Sequence, residues 1–154
     1  MKATGIVRRV DELGRLVIPK EIRRTMRLAE GTPLEIFTDR EGQIILKKYS
    51  PMMELGSFAK QYAESVAQTM NQKVAVSDRD QIIAVAGGGK RELLGKTISR
   101  QLEEMIINRE NSIQAGLDKK TIPLISGDED SYSAQAIYPI CCEGDCIGAV
   151  ILYS

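Results

Sequence analysis

The sequence predicts an α+β fold, with short strands joined by tight turns towards both ends of the chain and helical periodicity between them. Three stretches carry that prediction. Leu34-Glu35-Ile36-Phe37-Thr38, the turn Asp39-Arg40-Glu41-Gly42 and the return Gln43 to Lys48 have the pattern of a hairpin. Leu55, Phe58, Ala59, Tyr62, Ala63, Val66, Ala67 and Met70 repeat at helical spacing. Ala134 to Cys141 and Cys146 to Tyr153 flank Glu143-Gly144-Asp145 as a second hairpin.

The remaining elements follow in order. Ile6 to Val10 reads as a strand and Asp11 to Gly14 as a turn, with Gly14 supplying the backbone freedom. The β-branched run Leu16-Val17-Ile18 reads as a buried strand. Pro19 ends it and suits the first turn of a helix over 19–27. In that helix Ile22 and Met26 face a core, and Arg23, Arg24 and Arg27 point elsewhere. Tyr49-Ser50-Pro51 marks a boundary, where Ser50 caps the next helix and Pro51 opens it. That helix runs over 51–70. Lys73 to Ser77 and Gln81 to Ala86 read as strands joined at Asp78-Arg79-Asp80, and Gly87-Gly88-Gly89 ends the pair. Arg91 to Leu94 is a helical turn, and Ser99 to Asn108 a helix with Leu102, Met105 and Ile106 inward. Thr121 to Leu124 reads as a strand and 125–131 as a polar loop.

The division is therefore two domains, 1–50 and 51–154. The first is small for its apolar content, and modules of that size bury little surface alone. Two chains sharing one core resolve this, so residues 1–50 are expected to form an obligate dimer. The amphipathic face of the helix over 51–70 is expected to pack on its own domain and on a partner helix.

Composition narrows the function. The chain has 154 residues, 43% hydrophobic and 27% charged, as globular proteins do. No apolar run is long enough to span a membrane, and the first residues lack a secretory pattern, so the cytoplasm is the default location. There is no histidine, which removes Ser-His and Cys-His catalysis and most catalytic zinc sites. The three cysteines, Cys141, Cys142 and Cys146, form a poor disulfide framework and suit a reducing compartment. Three small apolar residues near a hairpin is the plain reading of them.

The formal net charge is zero, yet it is unevenly spread. Residues 1–50 hold 11 Lys and Arg against 7 Asp and Glu, and residues 51–154 hold 10 against 14. A basic head on an acidic body points to a polyanion as partner of the head. Arg8 and Arg9 lie on the first strand, Arg15 follows the turn, Arg23 and Arg24 ride the helix, and Lys2 precedes them all. Arginine suits phosphates and guanine edges, so Lys2, Arg8, Arg9, Arg15, Arg23 and Arg24 are the candidate contacts to double-stranded DNA. The competing use of these cations is surface ion pairing with Asp11, Glu12 and Glu21.

Elsewhere the chemistry is sparse. Gly95-Lys96-Thr97 imitates a phosphate loop, but Lys90 stands where that loop needs glycine. The carboxylates show no spacing for paired acid–base or calcium chemistry. No catalytic group, metal or cofactor is expected.

Residues 1–50 closely resemble the AbrB-type DNA-binding domain of bacterial transition-state regulators. The carriers are Lys2 to Arg15, Ile18-Pro19 with Ile22-Arg23-Arg24-Thr25, Leu34-Glu35-Ile36, and Ile45 to Tyr49. The resemblance implies a swapped-hairpin β-barrel dimer. It places DNA contacts at Arg8, Arg15, Arg23 and Arg24, with Arg9 and Lys2 in support. Residues 51–154 resemble a GAF-type sensory domain through Tyr138-Pro139-Ile140 and Gly144 to Val150. That implies an antiparallel sheet with flanking helices, further assembly to a homotetramer, and sensing of a small-molecule effector that the sequence does not identify. The C-terminal helix usual in such domains is not found before Ser154. Together these readings imply a transcriptional regulator, both activator and repressor, with loose sequence preference and a bias to flexible AT-rich promoter DNA. Two other classes fit parts of the chain. One is a thiol-dependent GAF-type reductase, using the cysteines. The other is a DNA-binding antitoxin, against which the patterned residues 51–154 argue.

Overall fold

In the computed structural model the chain divides into two compact units, Met1–Tyr49 and Ser50–Ser154. The structure describes residues 1–116, 120–128 and 132–154, and for Met53 its backbone only. The last part of the polar loop expected over 125–131 lies outside the described residues.

The first unit holds helix α1 (Lys20–Thr25) and strands β1 (Leu34–Thr38) and β2 (Ile44–Lys48). Pro19 precedes α1, where a missing N–H costs nothing. The helix closes early. The Leu28 amide donates to the Arg23 carbonyl across Arg27, whose φ is 54°. β1 and β2 pair antiparallel, from Leu34 with Lys48 to Thr38 with Ile44. Asp39 organises their turn by accepting from the Glu41 and Gln43 amides, each at 2.9 Å.

The strands expected over 6–10 and 16–18 form no ladder within the chain. Within the chain β1 and β2 pair only with each other, and neither segment joins the outer edge of either strand. One chain therefore builds a hairpin, a helix and a turn, and no closed barrel. Pro19 is the one buried residue among 1–49.

The second unit is a five-stranded antiparallel sheet in the order β4-β3-β7-β6-β5. Its strands are β3 (Lys73–Ser77), β4 (Ile82–Ala86), β5 (Ser112–Ala115), β6 (Ala134–Cys142) and β7 (Asp145–Tyr153). Helices α2 (Pro51–Glu54) and α3 (Gly56–Met70) replace the single helix expected over 51–70, because the chain bends at Leu55-Gly56. Of the apolar residues expected on one face of α3, Phe58 and Tyr62 do not pack on the sheet, and Val66 does so only in part. Ala59, Ala63 and Ala67 do, packing with Val74, Val76 and Ala84. Phe58 and Tyr62 stack outside, ring centres 6.5 Å apart. Spacing put all of these on one broad face, and the sheet meets its alanine side, which lets the helix lie close.

Helices α4 (Lys90–Leu93) and α5 (Arg100–Ile107) belong to the other core, where Leu102 and Ile106 meet Ala75, Ile137 and Ile151. Ser99 caps α5, accepting from the Leu102 amide at 3.1 Å and donating to the Pro123 carbonyl at 2.6 Å. Thr121 to Leu124 is not a strand. Leu124 is fully buried, but the segment is held by the side chain of Gln135, which accepts from the Ile122 amide and donates to the Ile122 carbonyl. The fifth strand lies instead at Ser112–Ala115, paired with β6.

The glycine run at 87–89 binds the end of β7. Tyr153 donates from its hydroxyl to the Gly88 carbonyl at 3.1 Å. Burial, with Glu92 nearby, pushes its pKa up to about 12. Cys141 and Cys146, expected to be unpaired, face each other in the β6–β7 register and form a disulfide, leaving Cys142 free. The hairpin turn brings together two sulfurs that are near in sequence. Among the described residues no helix is long and apolar enough to cross a membrane.

Two substitutions test this packing. A Cβ at Gly148 would overlap the Ser77 carbonyl oxygen, so Gly148→Ala should lower stability by about 3 kcal/mol. Ser99→Ala, which removes the cap and its second bond, should cost about 1–2 kcal/mol. Urea denaturation followed by circular dichroism measures both, and wild-type midpoints would contradict the close approach at Gly148 and the cap at Ser99.

Candidate nucleic-acid interface

The expected cations all sit on the first unit, and all are exposed. Lys2, Arg8 and Arg9 lie in the segment before the first turn. Arg15 follows that turn, and Arg23 and Arg24 occupy the last turn of α1.

The turn at 11–15 is the best-defined part of this surface. Asp11 is its hub. Its Oδ1 accepts from the Leu13 amide at 2.9 Å and the Arg15 amide at 2.8 Å, and its Oδ2 accepts from Arg15 Nε at 2.8 Å. Backbone bonds close the loop, from Gly14 N–H to the Asp11 carbonyl and from Asp11 N–H to the Arg15 carbonyl, both 3.0 Å. Gly14 takes φ 74°, which favours glycine. The Arg15 amide, then its guanidinium, then the Leu13 amide hold the Asp11 carboxyl below the usual carboxylate range. The ion pair uses Nε of Arg15, so the terminal nitrogens remain outside it.

Ion pairing with Asp11 was the competing use of these cations, and Arg15 takes it. Arg15 is thus both paired and exposed. Arg8 donates from Nη1 to the Val7 carbonyl at 3.1 Å and lines the apolar hollow beside it. Lys2, Arg9, Arg23 and Arg24 have no ion pair among the described residues. Among the described residues no bond links the cations of the first segment to those of α1. They share one unit, not one cluster.

The hollow is about 280 Å³, lined by Ile6, Leu16, Ile18, Ile22, Met26, Leu34 and Leu46 among others. On the same unit Val7, Val10, Val17, Ile36 and Ile44 are more than 60% exposed. So much apolar surface on so small a unit is unusual for a monomer. Among the described residues no group of His, Cys, Asp and Glu is arranged to hold a metal.

The two parts of the chain match different known proteins. Residues 54–154 match the family model described as stage V sporulation protein T C-terminal, transcription factor. Residues 7–53 match the model described as antidote-toxin recognition MazE, bacterial antitoxin. Stage V sporulation protein T of Bacillus subtilis (strain 168) is 50% identical over 154 residues, spanning 100% of this chain and 85% of that protein. Transition state regulatory protein AbrB of the same organism is 66% identical over 53 residues, which is 34% of this chain and 54% of that protein. A solution structure of the N-terminal DNA recognition domain of Bacillus subtilis AbrB is 67% identical, covering 33% of this chain and 94% of that one, with a TM-score of 0.28. A basic AbrB-like head and a body matched by a transcription-factor model define a two-part transcription factor. The chain belongs to the stage V sporulation protein T family.

The sequence reading missed Asp11 as an organising group, although an aspartate three residues before a glycine is a turn signal. Because folding lowers the Asp11 pKa, its support for the turn is present above the unfolded value of 3.8 and is lost as pH falls through the folded one. NMR should therefore show the Leu13 and Arg15 amide signals moving together with a midpoint below 3.8. A midpoint at or above that value would mean the hub does not form.

Proposed function

We propose that this chain is a DNA-binding transcriptional regulator of sporulation-stage genes, acting as activator and repressor. Residues 1–50 dock on the duplex and residues 51–154 form a sensory and oligomerising body. The observation that carries this reading is the set of exposed cations on the head, five of the six without a carboxylate partner among the described residues. Their chemistry is that of phosphate binding, and the head's 66% identity to a transition state regulatory protein supports it.

The head works as a dimer. A second copy supplies neighbours for residues 6–10 and 16–18 and fills the apolar hollow, giving a swapped-hairpin barrel. Dimerisation doubles Lys2, Arg8, Arg9, Arg15, Arg23 and Arg24 on one duplex. Arg15 is pre-oriented by Asp11, which lowers the ordering cost of its contact. Few groups reach base edges, so preference is loose and favours flexible AT-rich promoter DNA. The body is GAF-like. It joins dimers to tetramers and accepts a small-molecule effector, which must bind the DNA-competent and incompetent forms unequally. The protein acts in the cytoplasm, at the nucleoid, as a regulator and not as an enzyme.

Two measurements test this. In fluorescence anisotropy across a salt series, affinity for AT-rich duplex should fall steeply with salt. Arg15→Ala or Arg23→Ala should weaken binding and reduce the log–log salt slope by about 1 for each phosphate no longer neutralised. A folded double variant with wild-type affinity and slope would exclude this surface. In sedimentation equilibrium the full chain should contain no monomer at micromolar concentration. Ile36→Asp should release monomer and lose DNA affinity in parallel. A wild-type monomer that binds DNA fully would rule out the shared barrel.

A further inference from the structure

The tip of the β6–β7 hairpin gathers three sulfurs in unlike surroundings. A register shift between Ile140 and Cys141 sets Cys141 opposite Cys146, and the two are bonded. Cys146 is buried in the core with Leu102 and Ile151, while Cys141 and the free Cys142 are exposed. Arg109, in the left-handed region with φ 58°, donates from Nη2 to the Gly144 carbonyl in the turn.

We propose that Cys141 and Cys146 form a reversible thiol–disulfide site, closed by hydroperoxides and reopened by small thiols. The bond spans only five residues, so it removes little freedom from the unfolded chain. The strands it joins are already held by their own ladder, and the turn is held by Arg109. The body therefore keeps its fold in either state. Exposure sets the order of events. On closing, the Cys141 thiolate attacks a peroxide oxygen, the O–O bond breaks, and water or an alcohol leaves with the thiol proton. The resulting sulfenic acid is attacked by Cys146 Sγ. The S–O bond breaks and the hydroxyl leaves as water with the second thiol proton. Two electrons pass from the two sulfurs to the peroxide. On opening, a small thiol attacks Cys141 Sγ and releases Cys146. A second thiol frees Cys141 and carries the electrons away as its own disulfide. Cys142, the neighbouring residue on the strand, stays a thiol throughout.

The test uses the full chain, reduced with dithiothreitol, treated with hydrogen peroxide, quenched in acid and alkylated. Cleavage after Glu143 parts Cys146 from the other two, and tandem mass spectrometry with fragmentation between Cys141 and Cys142 assigns each of them. The expected product links Cys141 to Cys146 with Cys142 alkylated. C142S should keep the link and C141S should lose it. C146S should leave a sulfenic acid at Cys141 that dimedone captures. Cys142 linked in place of Cys141, or Cys141 and Cys146 both alkylated after peroxide, would overturn the proposal. Far-UV circular dichroism of the reduced chain should match that of the oxidised one. Unfolding on reduction would make the bond a structural staple and would equally overturn it.

Discussion

The apolar side chains of residues 1–49 have no interior of their own. One six-residue helix and a two-stranded hairpin cannot enclose them, and burial there extends only to Pro19. Everything notable about the head follows from this shortfall. The hollow stays open, Ile36 and Ile44 face solvent, and the N-terminal segments pair with no strand. In the proposed dimer the same surface becomes the core, and the segments carrying Arg8, Arg9 and Arg15 become its strands and turn. The DNA-facing geometry would then be a property of two chains, since one chain does not hold those segments in a sheet.

Electrostatics in the head is arranged around that limit. Isolated surface ion pairs contribute little to stability. The Asp11–Arg15 pair does something else, because the same carboxylate also receives two backbone amides and so fixes the shape of the turn. A short negative charge orders a positive one without burying it. The body is built differently. Its sheet carries a packed core on each face, and its buried polar groups, such as Gln135 and Ser99, hold irregular chain in place.

The sequence was most legible where local chemistry decides structure. The turn at 39–42, the helix beginning at Ser99 and the final hairpin rest on residues whose conformational preferences are strong and short in range. It misled where an environment had to be chosen. Helical spacing in 55–70 marked one broad apolar face, and only contact with the sheet could select the alanines within it. Thr121 to Leu124 has strand-like composition, yet Gln135 takes up the Ile122 backbone groups that a ladder would have used. For the site, the cations were visible as residue types, but the role of Asp11 depends on a three-dimensional loop. The pairing of Cys141 with Cys146 needed the register of β6 on β7, which spacing does not specify.

The two sides of helix α3 tolerate substitution unequally. Its inner stripe, Ala59, Ala63 and Ala67, sets the distance between helix and sheet, and any larger residue there would lift the helix off. Its outer side carries Phe58 and Tyr62, which stack on each other and stay largely open to solvent. Over evolutionary time the second side can be rewritten while the first stays still. A lineage could therefore exchange what this helix meets outside without refolding the body that carries it.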